Sequence, residues 1–240
     1  MAGGSKPPDA RWVKRELAAL ADPQRAAFTA PYLGVAPGGY GEGDVLLGIR
    51  VPAQRVVARG ARDLPLDEVA TLLASPVHEH RFVALVVLVQ RYRRGDPGAR
   101  AELSRFYLRH RAGVDNWDLV DASAPDLLGG ELIDGDRAIL GELAAAESLW
   151  DRRIAVVATY ALIRRGELGD TLALAGRLMD DPHHLIHKAV GWMLREVGKR
   201  DEAVLVAFLE ANRTRLPRTT LRYAIERLTP EQRATLMARD

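Results

Sequence analysis

His80-Arg81-Phe82-Val83-Ala84, Arg152-Arg153-Ile154-Ala155-Val156 and His187-Lys188-Ala189-Val190-Gly191 overlay in character. Each has a cation followed three residues later by a small or branched apolar residue. Leu221-Arg222-Tyr223-Ala224-Ile225 is a looser fourth copy, and in Val120-Asp121-Ala122-Ser123-Ala124 an acid takes the cation's slot. The slots fall at 81, 121, 153, 188 and 222, in steps of 40, 32, 35 and 34 residues. A drifting period of this length in a helical chain predicts stacked helix pairs, because each unit buries its apolar face only against its neighbours. The fold class expected is all-α: a curved α-solenoid of HEAT-like helix pairs with a concave basic groove. Facing that groove, the slots would form a ladder of Arg81, Asp121, Arg153, Lys188 and Arg222. The alternative is that these cations are helix-start residues packed against neighbouring acids.

The surrounding pattern agrees with helices. Pro52, Pro65, Pro76, Pro97, Pro182, Pro217 and Pro230 each suit a first turn. Helical apolar periodicity follows them, as in Phe82/Leu85/Val86/Val89 and Leu185/Ala189/Trp192/Met193. Val45-Leu46-Leu47-Gly48-Ile49 is short enough to be strand or helix. The preceding loop, Pro37 to Asp44, is rich in glycine but lacks the G-x-x-x-x-G-K-[ST] arrangement that cradles phosphate. Trp12, Leu17 and Leu20 predict an amphipathic helix between Asp9 and Ala21. The expected organisation is an N-terminal helical extension over residues 1–30 and one repeat domain over residues 31–240.

Composition narrows the class. Hydrophobic residues make up 48% and charged residues 28%, as in ordinary soluble globular proteins. The longest apolar run, Phe82 to Val89, is far short of the roughly 20 residues that span a bilayer. The N-terminus lacks a hydrophobic segment, and cysteine is absent, which excludes disulfides and thiolate chemistry. No membrane association and a cytoplasmic location are expected. Net charge is only +2, yet residues 51–111 carry +5, residues 112–150 carry −8 and residues 151–240 carry +4. Basic segments suit polyanions; solvated helix faces account for them as well.

Several chemistries find little support. The six histidines show no H-E-x-x-H or related spacing, so structural or surface roles and no metal are expected. Glu79 falls at a helix start, where it offsets the dipole. There is no G-x-S-x-G, and Ser123 has no evident base. Asp118 and Asp121 offer a carboxylate pair whose separation the sequence does not fix. Trp117 and Asp121 are more telling. Their i, i+4 spacing places indole and carboxylate on one helix face. Trp117, Trp150 and Trp192 lie in or beside the slots. Trp150 reads as a filler between helices, whereas Trp117 and Trp192 read as functional. An indole beside a carboxylate suits a flat cationic group, which an indole face attracts by roughly 0.5–2 kcal/mol.

These residues carry a family resemblance. The chain resembles the AlkD-type DNA alkylation repair proteins, DNA glycosylases built from HEAT-like helical repeats. The similarity runs from about Tyr40 to about Arg239 through an ordered set of segments. They are Tyr40-Gly41-Glu42-Gly43-Asp44, Leu47-Gly48-Ile49-Arg50-Val51-Pro52 and Ser75-Pro76-Val77-His78-Glu79-His80-Arg81. Asn116-Trp117-Asp118-Leu119-Val120-Asp121, Leu149-Trp150-Asp151-Arg152-Arg153-Ile154-Ala155 and the stretch from His187 to Asp201 continue the set. The resemblance implies removal of cationic alkylpurines, 7-methylguanine and 3-methyladenine, from duplex DNA. It implies site residues at Trp117, Asp121 and Trp192 and a groove arginine at Arg153. Residues 32–40 match less closely, so no site residue is carried over there.

Elementary chemistry points the same way. Departure of a cationic base leaves oxocarbenium character on the sugar. Asp121 is expected to stabilise that charge and to handle the attacking water. Trp117 and Trp192 are expected to pack against lesion or sugar–phosphate, and Arg153 completes the candidate catalytic set. Arg81, Arg152, Lys188, Arg218 and Arg222 are the candidate DNA-binding cations. The expected function is that of a monofunctional glycosylase, without cofactor and without a lyase step, since no amine nucleophile is evident. A monomer acting on double-stranded DNA with alkylated bases is expected. Two alternatives stand beside it: a non-catalytic HEAT-like module that binds DNA or protein, and a repair enzyme for bulky natural-product adducts.

Overall fold

The helices of this chain start where a short polar side chain or a proline closes them. The computed structural model describes residues 8–238; residues 1–7 of the expected N-terminal extension lie outside it. Contacts divide the chain into two compact units, Met1–Ser123 and Ala124–Asp240. The first contains α1 (Ala10–Ala18), α2 (Pro23–Thr29), α3 (Val51–Gly60), α4 (Leu66–Leu73), α5 (His78–Arg94) and α6 (Pro97–Arg109). Helix α7 (Trp117–Leu127) begins in the first unit and ends in the second. The second continues with α8 (Gly129–Leu132), α9 (Ala138–Ala144), α10 (Leu149–Ala158), α11 (Tyr160–Arg164) and α12 (Gly169–Arg177). It closes with α13 (His184–Gly198), α14 (Glu202–Ala211), α15 (Arg218–Ala224) and α16 (Pro230–Met237).

Asp9, Asp22, Asp96, Ser148, Asp201 and Thr229 each accept the amide N–H three residues on, satisfying a donor that the helix itself cannot. Thr229 and Gln232 complete a capping box. Pro52, Pro97 and Pro230 occupy first-turn positions, and Pro65 and Pro217 are the caps of α4 and α15. Pro76 and Pro182 stand just ahead of α5 and α13. Pro125 is different, lying inside α7.

The first unit is organised around α5, which packs against α1, α3, α4 and α6. This explains the run from Phe82 to Val89: a helix with neighbours on several sides is apolar all round, and every residue of that run is buried. Helix α1 is part of this packing. It contacts α3, α4 and α5 through Ala10, Val13 and Leu17, and the Ala10 N–H donates to Glu68 at 2.9 Å. Leu20, expected in the buried stripe, is 46% exposed because the helix ends before it.

The second unit shows how the repeat is used. Helix α10 packs on α13 and α13 on α15, while α9 packs on α12. Two rows of helices therefore stack within this unit. Counted from each helix start, Asp121, Arg153, Lys188 and Arg222 are the fifth residues of α7, α10, α13 and α15, and Arg81 is the fourth of α5. Burial of side chains such as Ile154, Ile163, Ile186 and Leu194 holds these rows, each contributing about 1.5–3 kcal/mol. Among the described residues the structure is all-helical apart from one isolated parallel bridge, Val45 to Val77, and no helix is long and apolar enough to cross a membrane.

The ambiguous stretch Val45–Ile49 is neither strand nor helix beyond that bridge. Glu79 explains its course. Its buried carboxylate accepts the N–H groups of Leu47 at 2.9 Å, Gly48 at 2.7 Å and Ile49 at 3.3 Å. Glu79 thus anchors a loop, a role the helix-start reading does not contain. Gly48 is required here: its φ is +77°, and an added Cβ would lie 2.2 Å from the Asp22 carbonyl oxygen. Glu79→Ala strands buried amides and is expected to destabilise the protein by about 3 kcal/mol. A lowered urea midpoint with an unchanged helical signal at low denaturant is the expected readout; an unchanged midpoint would remove the anchor.

Candidate active site

The first turn of α7 is fastened by its own side chains to the loop that follows α2. Asn116 is 0% exposed; its Nδ2 donates to the Leu33 carbonyl at 2.9 Å and its Oδ1 accepts the Trp117 N–H at 2.8 Å. The Trp117 indole Nε1 donates to the Tyr32 carbonyl at 3.1 Å, and the Tyr40 hydroxyl donates to that same oxygen at 2.6 Å. Gly41 allows the approach, because a Cβ there would lie 2.3 Å from the Leu33 carbonyl oxygen. The indole edge is therefore fixed while the side chain stays half-buried. Asp121, one turn on, is half-buried too.

Beside Trp117 stands an aromatic pair that the sequence did not single out. Phe28 is 69% exposed and Tyr32 65% exposed, with ring centroids 6.0 Å apart. Large aromatics so exposed mark a contact surface more often than a packing error. Their signal in the sequence was weak, since Phe28 lies in α2 and Tyr32 in a turn without periodicity.

Beneath this surface lies a cluster of charges. The His78 Nδ1 is 3.1 Å from Asp44 Oδ2, and its Nε2 is 2.8 Å from Asp118 Oδ2. Arg81 donates from Nη2 to Asp44 at 2.6 Å and from Nη1 to the Ser75 carbonyl at 2.8 Å. Asp115 Oδ1 lies 3.1 Å from the Arg81 Nη2 but is off the N–H direction, which makes it a charge contact rather than a hydrogen bond. Burial opposes ionisation throughout, and the partners decide the outcome. Burial would lower the His78 pKa, but hydrogen bonds to Asp118 and Asp44 outweigh it and push it up to about 9. Burial would raise Asp44, yet the bonds from His78 and Arg81 hold it below the ordinary carboxylate range. At Asp115 burial prevails over Arg81, and the group is raised. His80 behaves oppositely to His78: burial and the charge of Lys14 push it down to about 4, and its Nδ1 pairs with the Ser75 hydroxyl at 2.8 Å.

These contacts correct the reading of Arg81. It is 2% exposed and its guanidinium is committed to Asp44, Asp115 and a carbonyl. A DNA phosphate would have to displace the carboxylates of Asp44 and Asp115 to reach it. The packing of a slot cation against neighbouring acids therefore holds at this position.

The second unit places the remaining residues. Arg153 is 5% exposed and donates from Nη1 to the Leu185 carbonyl at 2.7 Å, tying α10 to the first turn of α13. Arg152 bonds Asp181 at 2.6 Å through Nε and the Ala146 and Glu147 carbonyls through Nη1. It too is a clamp between loops rather than a free phosphate donor. Arg218 is half-buried and donates to the Met237 carbonyl at 2.9 Å. Lys188 is half-buried and Arg222 exposed, both better placed for an external anion. Trp192 on α13 is half-buried; its Nε1 donates to Glu196 at 3.2 Å and its ring lies 6.1 Å from that of Tyr160. Glu196 is neutralised by Lys199 at 2.7 Å. Among the described residues no group of three or more His, Asp or Glu is arranged to hold a metal.

Stacked helix pairs define an all-helical, α-solenoid-like class of fold, which does not by itself fix a chemistry. The particular family is shown by the sequence: residues 13–228 match the family described as DNA alkylation repair enzyme, and the chain belongs to it. A role in the repair of alkylated DNA follows from that membership. A solved structure described as a predicted DNA alkylation repair enzyme from Enterococcus faecalis is similar in fold. Its TM-score is 0.67 at 18% identity, over 88% of this chain and 97% of that one. Nothing among curated proteins matches the chain.

The raised pKa of His78 has a consequence for stability. The folded protein binds this proton more tightly than the unfolded chain does. The stabilisation is full below about pH 6.5 and is lost as pH rises through about 9. The thermal midpoint of the wild type is expected to fall across that window, and the fall to be smaller in His78→Gln. Parallel pH profiles for the two proteins would refute the assignment.

Proposed function

We propose that the protein is a monofunctional DNA glycosylase that hydrolyses the N-glycosidic bond of positively charged alkylpurines in duplex DNA. The observation that carries this reading is the first turn of α7. There Trp117, its edge fixed on the carbonyl of the exposed Tyr32, stands one turn before Asp121, in a chain of the DNA alkylation repair family. A binding module has little use for an acid in this position, since it repels the phosphates such a module must hold.

Alkylation at N7 or N3 makes the purine a cation and a good leaving group. The bond from C1′ to the base nitrogen breaks with both electrons going to the base, which departs neutral. Positive charge develops on the sugar, and the Asp121 carboxylate stabilises it where it forms. Water then bonds to C1′ and gives up a proton, for which Asp121 is the acceptor. The products are the free base and an abasic site, and the step needs neither metal nor nucleotide. Trp117 supplies apolar and cation–π contact for lesion or backbone, and within the second unit Trp192 offers the same chemistry. Lys188 and Arg222, with Arg218, supply phosphate contacts, while Arg153 fixes the start of α13.

Release of 7-methylguanine from methylated duplex DNA tests the reading. The wild type is expected to release base, and Asp121→Asn to bind the duplex normally while losing about 10²–10³-fold in rate. A wild type that binds but releases nothing leaves only the binding-module reading standing. Arg222→Ala is expected to weaken binding and to reduce the slope of log affinity against log salt by about one. An unchanged slope would remove Arg222 from the phosphate contacts.

A further inference from the structure

His78 belongs to no step of the proposed chemistry, yet both its ring nitrogens are spent on carboxylates. A neutral imidazole carries one N–H and would turn a lone pair toward the second carboxylate. Only the imidazolium donates to both. Asp118 depends on it: among the described residues its one hydrogen bond comes from His78, and its Oδ1 is buried without a partner. Asp118 is the second residue of α7, between Trp117 and Asp121. Residues three apart on a helix are neighbours on its surface, about 5–6 Å between Cβ atoms, so an uncompensated charge on Asp118 acts directly on Asp121.

We propose that His78 is a positioning residue for the glycosylase turn, its imidazolium fixing the start of α7 through Asp118 and cancelling the charge that would otherwise oppose Asp121. The proposal rests on the function proposed above and deepens it. The groups around His78 are accounted for. Asp44 faces it from the glycine-rich loop, Arg81 from α5, Asp115 from the segment before α7 and Asp118 from α7 itself. Glu79 is turned to the amides of residues 47–49 and His80 to Ser75. Two cations, Arg81 and His78, face the carboxylates of Asp44 and Asp118, with Asp115, whose ionisation burial opposes, a third acid beside Arg81. Removal of the His78 charge leaves the first turn of α7 with an unpaired half-buried acid beside the acid that does the work.

The test uses the full chain, His78→Gln, and the double variant His78→Gln/Asp118→Asn. The double variant removes both charges and so restores the balance. In His78→Gln, single-turnover release of 7-methylguanine, measured well below the melting range, is expected to fall about 10²-fold with duplex affinity nearly retained and the thermal midpoint lowered at neutral pH, where the His78 proton stabilises the fold. The double variant is expected to recover most of that rate. The indole N–H resonance of Trp117, assigned with Trp117→Phe, reads the same link without activity. It is expected to shift as the His78 ring titrates in the wild type and to be insensitive to pH in His78→Gln.

Wild-type rate in His78→Gln overturns the proposal. So does a joint loss of rate, affinity and thermal midpoint that the double variant fails to repair, since that marks a purely structural group. A wild type that releases no base overturns the glycosylase reading instead. A Trp117 resonance indifferent to His78 titration overturns the positioning link alone.

Discussion

Two carboxylates meet opposite edges of one imidazole, and three distant stretches of chain are joined by that meeting. Asp44 brings the glycine-rich loop, His78 and Arg81 bring the start of α5, and Asp118 brings the start of α7. Buried charges of this kind are costly unless each is matched. The match here is partial: two guanidinium nitrogens and two ring nitrogens are paired with the carboxylates of Asp44 and Asp118 and the Ser75 carbonyl, while Arg81 Nε, Asp115 Oδ1 and Asp118 Oδ1 are buried without a hydrogen bond. The cluster adds less to stability than the apolar packing of α5 does. What it adds is register, since a loop or a helix start displaced by one residue would leave a charge unpaired inside the protein.

The loop between α2 and α3 depends on the same end of α5. Glu79 gathers three successive amides, and Asn116 and Trp117 grip the carbonyls of Leu33 and Tyr32 from the other side. The three amides that follow the glycine-rich loop are thus occupied by the protein's own carboxylate. Gly41 and Gly48 serve close approach between backbones, and the anion that the amides of residues 47–49 hold is Glu79 of the same chain.

Much of this was legible in the sequence, for local reasons. Proline and aspartate set the helix starts, and these signals need no knowledge of distant residues. The slot spacing was legible as well, because a repeat places equivalent residues at equivalent depth along successive helices: Asp121, Arg153, Lys188 and Arg222 all fall at the fifth position. The pairing of Trp117 with Asp121 follows from helix geometry alone. The fate of each cation did not. Arg81 and Arg222 look alike in sequence, but one meets acids more than 30 residues away and the other meets solvent. Tyr32 was missed because its contribution to the site includes a backbone carbonyl, which every residue has. The apolar stripe of α1 was misjudged at Leu20 because the helix stops two residues earlier.

Pro125 gives α7 an unusual mechanical character. A proline has no amide hydrogen, so residue 125 cannot close the backbone rung that would reach back to the carbonyl of residue 121. The helix that carries the acid is therefore softest along the turn that begins at the acid. Its stiffness must come from outside: from Asn116 and Trp117 on one flank and Asp118 on the other. The aim of Asp121 is set less by the rod on which it is mounted than by the stays that hold the rod.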